Sequence, residues 1–150
     1  MAGVYLSYPF CAQKCTYCNF ASGVFGKELE TRYVAALASE LRARKWTWTP
    51  ETVYLGGGTP GSMAGEDLRR LMESIPGRPW KEATIEAAPG AISAAQAVSW
   101  REAGINRVSL GVQSFVEREL RRTGIETRNA IKVIQVVGKK STGSREGGVR

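Results

Sequence analysis

The 150-residue chain contains no histidine and only three cysteines. A closed structural zinc site takes four protein ligands, so here it would need a carboxylate to complete it. The cysteines all fall between Cys11 and Cys18, and an odd number at such close spacing is a poor framework for disulfides. In a reducing compartment the same spacing reads as a metal or redox site. No apolar run approaches the roughly 20 residues of a membrane span. The first ten residues carry no positive n-region and no long apolar stretch, so no signal peptide is expected. These absences together predict a cytoplasmic protein.

Aromatic residues are missing from the stretch that carries most of the net positive charge. The formal net charge is +7, and residues 123–150 hold six basic and two acidic side chains with no aromatic among them. Stacking on nucleic-acid bases needs interleaved aromatics, so this stretch reads as a solvated basic tail and no nucleic-acid partner is expected. The remaining composition, 43% hydrophobic and 23% charged, is that of an ordinary globular domain. A chain of this length fits one domain and can bury a sizeable core.

Strands and helices alternate along the chain. Residues 3–8, 53–55, 83–87 and 106–111 read as strands. Residues 27–45, 65–74, 93–103 and 115–123 read as helices. In the first helix Leu29, Tyr33, Leu37 and Leu41 recur at i, i+4. In the second, Leu68, Leu71 and Met72 should face inward. Ser93 is placed to cap the third, and Gly104 lies just past its end. Strand–helix alternation of this kind implies βαβ units on a parallel sheet. After Gly124 the pattern weakens. Residues 129–138 suit either a helix or a strand, and 139–150 are rich in Gly, Ser, Lys and Arg, as in a flexible tail.

The strongest chemical signal is Cys11-Ala-Gln-Lys-Cys15-Thr-Tyr-Cys18, a C-x3-C-x2-C loop directly after the first strand. Thiolates are the soft ligands preferred by iron–sulfur clusters and zinc. A [4Fe–4S] cluster usually takes four thiolates, so three leave one iron open to a small molecule. Zinc completed by a carboxylate and three simply buried cysteines stay as the rival readings; the cluster accounts best for such spacing in a loop.

Three further segments sit at strand ends. Gly56-Gly57-Gly58-Thr59-Pro60 follows the second strand, Glu86 ends the third, and Gln113 follows the fourth. Glycines let the backbone approach a ligand closely. Gly56, Gly58 and Gly61 also satisfy G-x-G-x-x-G after a strand, the formal signature of a dinucleotide-binding oxidoreductase. Ligand segments at the carboxyl ends of four successive parallel strands fit the face where such sheets and barrels gather their sites.

The cysteine loop, with aromatic Tyr17 just before its last cysteine, resembles the cluster motif of the radical S-adenosylmethionine (SAM) superfamily. Four runs match one branch in order: Tyr5-Leu-Ser-Tyr-Pro-Phe-Cys11, Tyr54-Leu-Gly-Gly-Gly-Thr-Pro60, Ile85-Glu-Ala-Ala-Pro89 and Asn106-Arg-Val-Ser-Leu-Gly-Val-Gln-Ser-Phe115. That branch is the oxygen-independent coproporphyrinogen III oxidase-like family, including the HemW-type haem chaperones, and the likeness covers about four-fifths of the chain, from Tyr5 to Gly124. The resemblance implies a partial TIM-like (β/α) barrel of the radical SAM type, its first four βα units. It implies a [4Fe–4S] cluster on Cys11, Cys15 and Cys18, with SAM on the open iron. It implies SAM contacts from Tyr5, Tyr17, Gly57, Gly58, Thr59, Glu86 and Gln113. The true oxidases carry a further cysteine two residues after the third. Phe20 stands there in this chain, which favours the haem-chaperone branch, with haem and a haem-acceptor protein as partners of the full-length family member.

The resemblance stops after Gly124. The family continues with Gly-Arg-x-His, whereas this chain reads Gly124-Ile125-Glu126-Thr127, so an isoleucine stands where an SAM-contacting arginine is expected. The expectation is therefore a truncated radical SAM core at 1–124 followed by a basic, non-family tail at 125–150. An inactive iron–sulfur-binding fragment is then the alternative function. One outcome follows from the spacing alone. Serine at Cys15 removes one of the three thiolates, so anaerobic reconstitution of Cys15→Ser should leave iron and sulfide near background, where the parent chain takes up about four of each. Full iron and sulfide in the variant would refute the cluster assignment.

Overall fold

The computed structural model describes residues 2–89 and 92–123. The expected alternation is present. Strand β1 (Gly3–Tyr8) leads to helix α1 (Lys27–Ala43), then β2 (Thr52–Gly57), α2 (Gly65–Glu73), β3 (Glu82–Ala87), α3 (Ala94–Glu102), β4 (Arg107–Leu110) and α4 (Glu117–Thr123). A 3-10 turn at Pro60–Ser62, which the sequence reading did not anticipate, separates β2 from α2. The tail at 125–150, including the ambiguous stretch 129–138, lies outside the described residues.

The four strands form one parallel sheet in the order β1-β2-β3-β4. Every crossover thus steps to the adjacent strand in the same direction. Because such crossovers are right-handed, this winding lays all the connecting helices on one face, as in a barrel. The strand order never reverses among the described residues, so the sheet lacks the switch-point crevice in which doubly wound sheets bind dinucleotides. The third glycine of the G-x-G-x-x-G match, Gly61, lies in the 3-10 turn instead of opening a helix. Both findings count against the dinucleotide reading.

Pairing runs without stagger. Tyr5 lies beside Tyr54, and Leu6 beside Leu55; Tyr54 lies beside Thr84, and Leu55 beside Ile85; Ile85 lies beside Val108, and Glu86 beside Ser109. Side chains alternate between faces, so the sheet has two distinct sides. Leu6, Tyr8, Val53, Leu55, Ala83 and Ile85 join the buried core with Val34, Ala38 and Leu41 of α1, Leu68, Leu71 and Met72 of α2, and Trp100 of α3. The opposite side carries Tyr5, Ser7, Tyr54, Gly56, Thr84, Glu86, Arg107 and Ser109. It is polar and stays tied together: Arg107 donates to Glu82 and to Thr84, which in turn donates to Glu82.

Local signals account for the helix boundaries. Ser93 Oγ accepts from the Gln96 amide and the Gln96 side chain accepts from the Ser93 amide, a reciprocal cap that starts α3 where expected. In α1 the buried stripe is Val34, Ala38 and Leu41. The expected stripe is thus rotated: Tyr33 and Leu37 are only partly buried against the core, and Leu29 is 47% exposed. The i, i+4 series picked the larger apolar residues, whereas the buried line runs through Val34 and the small Ala38 to Leu41.

Leu55, Leu71 and Ile85 are fully buried. Leu71→Ala should destabilise the fold by about 2–5 kcal/mol, a large part of the roughly 5–15 kcal/mol available to a domain. Leu29→Ala should cost under about 1 kcal/mol, because little of its surface leaves water. Urea unfolding of both variants checks the pair; equal losses would contradict the helix orientation.

Candidate cluster and SAM site

The cysteine loop is pinned at its ends and loosely held between them. The Cys11 amide donates to the Gly23 carbonyl at 2.9 Å, and the Gly23 amide donates to the Pro9 carbonyl at 2.9 Å, closing the loop at its neck. Phe10, the residue before Cys11, is buried and packs edge-on against Phe25 and Tyr33 and at a tilt against Tyr8. Inside the loop, the Cys18 amide donates to the Cys15 carbonyl at 3.1 Å, and Lys14 Nζ donates to the Ser22 carbonyl at 2.7 Å. All three cysteines are free thiols of intermediate exposure. Among the described residues no three His, Cys, Asp or Glu side chains gather closely enough to hold a single metal ion, which a cluster does not require, because each thiolate binds a different iron.

The residues present nevertheless fit a cluster in donor chemistry. Three partly exposed soft donors lie on one short loop with a fixed neck, and the loop contains Ser22, whose buried hydroxyl has no hydrogen-bond partner. Such a donor suits the sulfur atoms of a cluster, which accept hydrogen bonds. Tyr17 reaches back to Cys15. Loss of hydration first, and then a hydrogen bond to that thiol, push the Tyr17 phenol above its usual range.

The glycine-rich segment is stitched to the cysteine loop and to β3. The Gly58 amide donates to Tyr8 at 2.7 Å and the Thr59 amide to Phe10 at 2.9 Å, which fixes the mouth of β2 against the neck of the loop. Gly57 has φ +114°, a conformation that side-chain-bearing residues rarely adopt. That twist turns its amide to Glu86 Oε2, at 3.0 Å. The other carboxylate oxygen of Glu86 accepts from the Tyr54 hydroxyl at 2.7 Å. Tyr54 stacks on Tyr5, with ring centroids 5.8 Å apart and planes 13° from parallel.

The fourth segment completes the ring. The Gly111 amide donates to Ala87 at 3.1 Å, tying the exit of β4 to that of β3. Gln113 follows, at φ +64°, and is the one non-glycine residue with positive φ among the described residues. Tyr17 and Gln113 line a cleft of about 300 Å³ together with Ser114, Glu119 and Leu120. The cysteine loop after β1 and the loop after β4 therefore meet across the mouth of the sheet.

The structure thus brings the sequence-derived candidates together in two groups. Tyr5, Gly57 and Glu86 surround the ends of β1 to β3, with Gly58 and Thr59 joining them to the cysteine loop. Tyr17 and Gln113 face one cleft. The sequence reading missed Tyr54. Its available signal was position: it lies two residues before Gly56, and so on the same side of the strand as the glycine mouth.

A backbone held at positive φ by a residue with a side chain is strained, and such strain collects at functional sites. Gln113→Gly should relieve it and raise stability by up to about 1 kcal/mol, while removing the amide from the cleft and weakening SAM binding. Thermal unfolding and equilibrium dialysis on the same preparation test both halves. A loss of stability with unchanged affinity would mean that Gln113 serves packing alone.

Comparison with known proteins accords with this geometry. A family profile described as the Radical SAM superfamily matches residues 5–142, a stretch that runs past Gly124. The haem chaperone HemW of Escherichia coli is 34% identical over 151 aligned residues, covering 92% of this chain and 40% of that protein. The HemW of Mycobacterium tuberculosis is 38% identical, covering 79% of this chain and 33% of its own. Among solved structures, the coproporphyrinogen III oxidase HemN of Escherichia coli, described as a radical SAM enzyme, superposes with a TM-score of 0.82 at 25% identity, over 93% of this chain and 34% of that one. The chain therefore spans two-fifths or less of the length of these relatives. No helix among the described residues is long and apolar enough to cross a membrane. The parallel four-stranded sheet, the cysteine loop after β1 and these likenesses agree: the chain belongs to the radical SAM superfamily, in the branch that holds the HemW-type haem chaperones and HemN.

Proposed function

We propose that the chain binds a [4Fe–4S] cluster and SAM at the carboxyl-terminal mouth of its sheet, and that it serves haem metabolism as a HemW-type protein. The observation that carries this reading is the ring of contacts joining all four strand exits: Gly58 to Tyr8, Gly57 to Glu86, Gly111 to Ala87, and Tyr17 with Gln113 across one cleft. Cys11, Cys15 and Cys18 would hold the cluster, on a loop with a fixed neck. When bound, such a cluster supplies an electron at low potential to a ligand on its open iron.

The chain's own residues bind and orient that ligand. The glycine mouth at Gly57 and Gly58 offers a bare backbone that a small polar ligand can approach closely. Glu86 presents a carboxylate whose remaining lone pairs take hydrogen-bond donors. Gln113 supplies an amide and Tyr17 an aromatic edge on the opposite wall of the mouth. Tyr5, 60% exposed, offers a phenol on the same side of the sheet as Glu86.

Phe20 favours haem handling over decarboxylation. It stands where the oxidases carry a further cysteine, and it is 70% exposed beside the cluster loop, an apolar surface in place of a thiol. The likeness to HemW chaperones supports the same choice.

Anaerobic reconstitution followed by dithionite and SAM tests the reading. The expected results are the visible absorbance of a [4Fe–4S] cluster, SAM-dependent change in its paramagnetic resonance, and release of 5′-deoxyadenosine. Added coproporphyrinogen III should not be decarboxylated. Protoporphyrinogen IX above a cluster-free control would overturn the chaperone assignment. A chain that takes up cluster and SAM without cleaving SAM would be an iron–sulfur-binding protein and not a radical enzyme.

A further inference from the structure

We propose that Tyr54 is a positioning residue for the ligand site: its phenol fixes the Glu86 carboxylate at the sheet mouth in the orientation that receives a hydrogen-bond donor of bound SAM. The proposal rests on the reading of the mouth as an SAM site and goes beyond it, because Tyr54 is not among the candidate contacts and acts through another residue.

Three observations carry it. First, Glu86 is held by one donor on each oxygen, the Tyr54 hydroxyl at 2.7 Å and the Gly57 amide at 3.0 Å. A glutamate side chain is long and flexible, and ordering it only when the ligand arrives weakens binding. With both oxygens engaged the carboxylate is already set, and each keeps lone-pair capacity for a ligand. Second, Tyr54 is itself immobilised. Its ring lies nearly parallel to that of Tyr5, so one aromatic pair connects two candidate contacts, Tyr5 and Glu86. Third, the cluster closes over a gap that only glycine leaves. A Cβ at Gly56 would stand 2.8 Å from the Tyr54 ring, 2.9 Å from the Tyr5 hydroxyl and 3.2 Å from Glu86 Cδ. Real Cβ atoms do not make the first two contacts without displacing a neighbour, so any larger residue there would push the three apart. The Tyr54 phenol is held above its usual range, chiefly by the hydrogen bond to Glu86, and so remains the donor of the pair.

A tyrosine that merely filled space on this side of the sheet would need only its ring. The hydroxyl separates the two roles, and Tyr54→Phe removes it while keeping the stack on Tyr5. The test is a double-mutant cycle on the full chain, reconstituted anaerobically, with SAM affinity read by equilibrium dialysis and with iron, sulfide and thermal midpoint measured on each preparation. Tyr54→Phe should weaken SAM binding roughly tenfold, as loss of one hydrogen bond to a charged group does, with cluster content unchanged. Glu86→Ala should weaken it at least as much. In the Glu86→Ala background, Tyr54→Phe should change nothing, because the group through which it acts is gone. Equal affinity for Tyr54→Phe and the parent chain, or additive losses in the double variant, would overturn the positioning role. Should Tyr54→Phe fail to hold its cluster, replacement of Tyr54 by 4-aminophenylalanine, which keeps the ring and puts an N–H donor where the hydroxyl stood, decides the matter: recovered cluster and affinity support the proposal, and no recovery refutes it. A parent chain that holds its cluster but binds no SAM would fail differently, removing the ligand-site reading and the positioning role with it.

Discussion

Parallel pairing without stagger is the constraint on which the rest of the molecule depends. With Tyr5, Tyr54 and Thr84 in one row and Leu6, Leu55 and Ile85 in the next, the strands reach their carboxyl ends at nearly the same level. A slip of one residue would exchange the two sides of a strand. Leu55 would leave the helix-covered core, and Tyr54 would leave the polar side on which it meets Glu86. Fold stability and site geometry are therefore enforced by the same register, and the buried apolar row holds the polar row in place.

The two sides of the sheet are specialised in consequence. One is dry and filled by Leu55, Ile85, Leu71 and Met72, each fully buried. The other keeps polar side chains in fixed hydrogen bonds, from the Arg107–Glu82–Thr84 group at the amino-terminal end to the Tyr54–Glu86–Gly57 group at the mouth. A polar group held by such partners loses its mobility without losing its capacity to bind, which is the property a ligand site on a rigid scaffold needs. The cysteine loop is of the opposite kind. Its neck is pinned by backbone hydrogen bonds and by Phe10 in an aromatic cage, while its three thiols are partly exposed.

Much of this was legible in the chain itself. Alternating strands and helices, the Ser93 cap, the inward face of α2, the C-x3-C-x2-C spacing and the glycine run after β2 are local patterns, each set within a few residues, and they determine the fold class, the order of the elements and the family. Local pattern could not choose which stripe of α1 is buried, because α1 carries apolar residues on more than one line and the buried one runs through the small Ala38. Nor could it find Tyr54. Its partner is 32 residues away, and its role exists only because adjacent strands pair in register and a glycine between them leaves room for two rings and a carboxylate to close. The G-x-G-x-x-G match shows the converse: the spacing is present, but among the described residues the sheet never reverses its order, and a dinucleotide crevice is a property of that order. Sequence alone determined which chemical groups this protein carries and along which strands they lie. Tertiary structure decided which of those groups touch, because contact across a sheet is set by register and by the volume of what lies between.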